Sequence, residues 1–114
     1  MSAQPCTAVR GTAAGVETLT LDNGALSIVI LVGKGADILG IHDRASGIDP
    51  LLKAPWGLRD PRHLLPAGSD LSDWILRYPG GWQAILPNFG PACVHQGIAY
   101  PMHGEAAVMP WSAL

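Results

Sequence analysis

The sequence predicts an all-β protein built on an antiparallel meander, with at most one short helix. Three observations predict it. Gly occurs 14 times and Pro 10 times in 114 residues, a turn-rich composition poor in helix formers. Apolar, β-branched runs alternate with Asn, Asp and Gly clusters at short intervals. Only one segment has the 3.6-residue periodicity of a helix. With 48% hydrophobic and 14% charged residues, the chain holds enough apolar matter to fold.

Residues 1–15 read as an N-terminal extension and residues 16–114 as one β domain. Val16, Leu19 and Leu21 form a strand that runs into Asp22-Asn23-Gly24, a hairpin turn because Asn and Gly accept positive φ. Residues 26–32 follow as a β-branched run long enough for a strand buried on both faces. Gly33-Lys34-Gly35 breaks it. Residues 36–42 make a third strand, closed by the polar turn at residues 43–47. Short connections make the three an antiparallel meander. Residues 51–56 read as a short strand interrupted by Pro55, and residues 57–68 as a loop. Residues 69–77 are the one helix, with Ser69 or Asp70 as cap and Leu71, Trp74 and Ile75 on one face.

The bulk properties exclude several functions. A net charge of −2 offers no basic surface for nucleic acid. No apolar run reaches the roughly 20 residues that span a bilayer, and no signal peptide is apparent. Cys6 and Cys93 do not make a disulfide framework, so both are expected as free thiols in a reducing, cytoplasmic setting. His95 and His103 fit no metal-ligand spacing with either cysteine, so neither metal nor other cofactor is expected. His42 and His63 read as solvated.

The chemistry-bearing residues cluster late in the chain. In a strand, His103 and Glu105 would share a face, and an imidazole can donate to or accept from a hydroxyl near neutral pH. Gly104 between them permits a close approach or an unusual backbone angle. Gly80-Gly81-Trp82 and Pro87-Asn88-Phe89-Gly90-Pro91 are glycine-rich turns that carry an indole and a carboxamide. Trp82, Trp111, Gln83, Asn88 and His103 thus supply an aromatic face for sugar C–H groups and polar partners for hydroxyls.

These segments resemble the aldose 1-epimerase (galactose mutarotase-like) superfamily. The opening LDNGALSIVILVGKGADILGIHDRASG is similar to its first strands, and YPGGWQAILPNFGPA followed by PMHGEAAVMPW is similar to its Asn/Gly turn and His-Gly motif with a downstream Trp. The resemblance implies an N-terminal portion of a galactose mutarotase-like supersandwich. It implies an aldohexose held in a cleft and anomers interconverted by acid–base ring opening. By position, His103 corresponds to the earlier active-site histidine and Asn88 to a sugar-binding asparagine. Phe89 stands where the family carries an arginine, and the family's later histidine and its glutamate would fall beyond Leu114. The chain by itself is therefore expected to bind weakly and turn over little, and to be covered by another copy or a complementing chain. A non-catalytic sugar-binding or structural module is the alternative. A hexose-6-phosphate epimerase relative is another, disfavoured because Ala106 and Ala107 stand where a phosphate-clamping arginine is needed.

Overall fold

The computed structural model describes residues 4–64 and 71–114. Strands β1 (Thr7–Ala13), β2 (Val16–Asp22), β3 (Leu26–Leu31) and β4 (Asp37–Asp43) form one antiparallel sheet in the order β1-β2-β3-β4. A separate hairpin pairs β5 (Cys93–His95) with β6 (Ile98–Tyr100). Helix α1 (Leu71–Arg77) is the single α-helix among the described residues, and short 3-10 turns lie at Pro61–His63 and Glu105–Ala107. The described residues are all-β with one short helix. No helix among the described residues is long and apolar enough to cross a membrane.

Local chemistry accounts for the meander. Asp22 Oδ1 accepts from the Gly24 N–H (2.7 Å), and Asn23 Oδ1 accepts from the Ala25 and Leu26 N–H groups (2.9 and 2.8 Å). These side chains satisfy the turn backbone that no strand can reach, which fixes the β2–β3 register. The closing turn after β4 works likewise, with Asp43 accepting from the Ser46 N–H and hydroxyl. A register shift between Val29 and Ile30 adds Leu39 to β4 as the extra residue of a bulge.

Three expectations are corrected here. The stretch before Val16 contributes a strand, since residues 7–13 pair along the whole of β2. The run at residues 26–32 is not buried on both faces; only Leu31 and Val32 at its end are enclosed. Residues 51–56 form no strand but a single bridge, Lys53 to Gly80. Helix α1 falls within the expected segment, whose cap positions 69 and 70 lie outside the described residues. Of its expected apolar face only Trp74 packs, stacking on Tyr78 at 4.9 Å, while Leu71 and Ile75 stay exposed.

The two faces of the main sheet differ. Cross-strand rows Leu21–Ile28–Ile41 and Leu19–Ile30–Ile38 put aliphatic side chains on one face, yet none of these residues is buried. The core sits instead at the β3–β4 end, around Val16, Leu31, Val32, Ala54 and Ala107. Two later segments close that end. Trp82 and Ile38 exchange backbone hydrogen bonds along the edge of β4 (2.8 and 2.9 Å), and the Trp111 N–H donates to the Val32 carbonyl (2.8 Å).

Within this end lies a buried ion pair. Lys34 Nζ donates to Asp37 Oδ2 at 2.5 Å, with side-chain exposures of 4% and 0%. Burial pushes the Lys34 ammonium below its ordinary range and the Asp37 carboxyl above its own, against the attraction between them.

Candidate functional site

The loops at residues 86–91 and 100–106 are stapled together, and this brings Asn88 and His103 into one neighbourhood. The Ala106 N–H donates to the Leu86 carbonyl (3.1 Å) and the His103 N–H to the Gly90 carbonyl (2.9 Å). Asn88 Nδ2 donates to two carbonyls, Pro91 at 3.1 Å and Pro101 at 3.0 Å. Two acceptors on that side fix which end of the amide is NH2. Asn88 Oδ1 is then left buried without a partner.

His103 does not sit in a strand. Its φ of 61° and the φ of 83° at Gly104 form a left-handed turn, and Glu105 begins a 3-10 turn. The shared-face arrangement expected for His103 and Glu105 is therefore absent, and the Glu105 side chain is exposed. The physical reason is the Leu86 carbonyl. A Cβ at Gly104 would overlap it, so the chain passes only as glycine in this conformation. The close approach that Gly104 permits is made by the chain's own backbone.

The imidazole of His103 is committed to the same brace. The Gly90 N–H donates to its Nδ1 (3.2 Å), so the neutral ring carries its proton on Nε2. Trp74 meets the ring edge-on at 4.8 Å and Phe89 lies at 6.2 Å. Phe89 is 87% exposed at the tip of the turn.

The remaining expected residues lie elsewhere. Trp82 is 62% exposed on the edge of β4. Gln83 turns inward, its Nε2 buried and without a hydrogen-bond partner. Trp111 is anchored through Nε1 to the Ala106 carbonyl (3.0 Å) and leaves part of its ring in solvent. Of the expected residues, Trp82, Gln83, Glu105, Trp111 and His103 are not among those lining the hollow that Asn88 borders.

Asn88 does line a hollow of about 290 Å³, together with Pro87, Cys93, His95 and Tyr100. Cys93 and His95 are two apart on β5 and share a face, and Tyr100 stands directly across from Cys93. The hairpin is closed by Gln96-Gly97, with φ of 50° and 78°, a two-residue turn whose twist matches the strands. Sequence reasoning missed His95 and Tyr100 as lining groups. The signal was present: a Gln-Gly pair between two short β-prone runs. Among the described residues, no group of three or more His, Cys, Asp or Glu could hold a metal ion.

Compared with models of protein families, with curated proteins and with solved structures, the chain matches none.

Proposed function

We propose that this chain is a carbohydrate-binding module of the aldose 1-epimerase-like kind, and that it takes an aldohexose in the Asn88 hollow in a binding rather than a ring-opening role. The observation that carries this reading is the make-up of that hollow. Tyr100 and Pro87 offer apolar ring surface to sugar C–H groups, while His95, beside the Asn88 side chain that shapes the wall, offers ring nitrogens to hydroxyls. The binding role follows from the fate of the expected catalytic groups. Nδ1 of His103 is spent on Gly90, and Glu105 stands in a different local element from the hollow. Ring opening needs an acid and a base on one substrate.

The only partly buried aliphatic face of the main sheet supports the sandwich part of the reading. A mutarotase-like sandwich lays a second sheet against such a face at about 10 Å, and a second copy or complementing chain would supply it here. Two free, exposed cysteines suit a reducing, cytoplasmic setting.

The test is a titration of glucose and of galactose followed by NMR at the His95 and Tyr100 ring signals, with polarimetry of fresh α-anomer alongside. Saturable shifts are expected, lost in Asn88→Asp, together with a mutarotation rate equal to buffer. Ring signals that stay still up to saturating sugar would end the carbohydrate reading. Mutarotation above buffer would replace the binding role with a catalytic one.

A further inference from the structure

We propose that Cys93 is a nucleophilic thiol served by His95 as its base, and that the hairpin hollow admits the small disulfide with which it reacts. This inference does not rest on the carbohydrate reading, because it concerns the covalent chemistry of β5 alone.

The geometry begins with the strand. Residues 93 and 95 project from the same face of β5, and the paired register with β6 puts Tyr100 opposite Cys93 on that side. All three line one hollow, so the thiol and the imidazole open onto a shared volume. Neither side chain is engaged in a hydrogen bond or ion pair, and both residues are exposed. The imidazole is thus free to take a proton and the sulfur free to be approached. The Asn88 side chain forms part of the wall of the same hollow.

Cys6 is the built-in reference. It is also free and exposed, but its hollow is lined by Thr7, Ala8, Leu21, Asn23 and other residues without an imidazole. The one carboxylate there, Asp22, is engaged by Arg44 and by the Gly24 N–H. Two exposed thiols in one chain therefore differ by the presence of a base.

The step balances as thiol–disulfide exchange. His95 accepts the Cys93 Sγ proton, and the thiolate attacks one sulfur of the incoming disulfide. The new Sγ–S bond forms as the old S–S bond breaks. The departing thiolate then recovers the proton from the imidazolium. Cys93 is oxidised to a mixed disulfide, and half of the incoming disulfide is reduced to a thiol.

The experiment compares the two thiols under identical conditions, with glutathione disulfide and 5,5′-dithiobis(2-nitrobenzoate) as probes. In Cys6→Ser the remaining Cys93 is expected to react about tenfold faster than Cys6 does in Cys93→Ser. Adding His95→Ala to Cys6→Ser should bring the Cys93 rate down to that of Cys6. Free imidazole should then restore it while leaving the Cys6 rate unchanged. In the unmutated protein, peptide mass spectrometry at partial reaction should find the adduct mainly on Cys93, a readout that needs no variant to fold. Equal rates at the two cysteines would overturn the proposal, as would a Cys93 rate indifferent to His95→Ala in a variant of unchanged circular dichroism.

Discussion

Lys34→Met is the most demanding perturbation the structure offers. Lys34 and Asp37 are almost wholly enclosed and 2.5 Å apart, and Asp37 Oδ1 already lacks a hydrogen-bond partner. Removing the ammonium leaves a buried carboxylate without its ion-pair partner, and breaking a buried pair in this way costs about 3–5 kcal/mol. A chain of 114 residues has a total stability of roughly 6–17 kcal/mol, so the loss is a large fraction of the whole. Lys34→Met combined with Asp37→Leu removes both charges and is expected to fall within about 1 kcal/mol of the parent.

The pH dependence has a definite sign. The folded Asp37 carboxyl is raised above its ordinary 3.8 by burial, so its neutral form is the one the fold favours. That contribution is complete below 3.8 and is lost as pH rises through the raised value. In Lys34→Met the opposing ammonium is gone, so the penalty should shrink on acidification toward 3.8. Urea unfolding followed by tryptophan fluorescence and circular dichroism across that range measures it. A Lys34→Met cost below about 1 kcal/mol at neutral pH is the value for an exposed pair, and it would refute the reasoning.

Three further outcomes follow from other parts of the fold. Gly104→Ala should lower stability by about 1–3 kcal/mol in urea unfolding, because it combines a positive φ with overlap on the Leu86 carbonyl. Asp60, held down to about 2 by hydrogen bonds from the Arg62 side chain and N–H, should titrate near that value by NMR and return toward 3.8 in Arg62→Ala. Its contribution is present above 3.8 and is lost as pH falls through about 2. Finally, the partly exposed aliphatic sheet face should drive self-association, reduced by Leu21→Lys with Leu26→Lys. A clean monomer by light scattering of the unmutated protein would contradict this.

The parts of the fold that were legible in the sequence are those whose causes are local. Asp22, Asn23 and Gly24 satisfy their own turn backbone, so the β2–β3 hairpin can be read from three letters. The helix at Leu71–Arg77 falls in the one segment with helical spacing, although Leu71 and Ile75 of its expected apolar face stay exposed. The candidate site was legible only in part. Asn88 and His103 do share a neighbourhood, but both were expected to face a ligand, and much of their hydrogen-bonding capacity is spent on backbone thirteen residues or fewer away. The His103-Gly104-Glu105 tripeptide has strand spacing on paper, yet its backbone angles are set by contact with Leu86 and Gly90.

Lys34 shows the same division most sharply. Between two glycines it reads as a solvated break, and by local rules a lysine in such a turn faces water. It is buried because segments 48 and 75 residues further on close over the β3–β4 end through Trp82 and Met109, and Asp37 answers its charge there. The sequence by itself determined β2, β3 and β4, their turns and the all-β class, since these depend on alternation and on side chains bonding to adjacent backbone. Only the tertiary structure decided which polar groups are enclosed, which are spent on the chain itself and which open onto a hollow. Burial is a property of what packs from elsewhere, and no local window contains it.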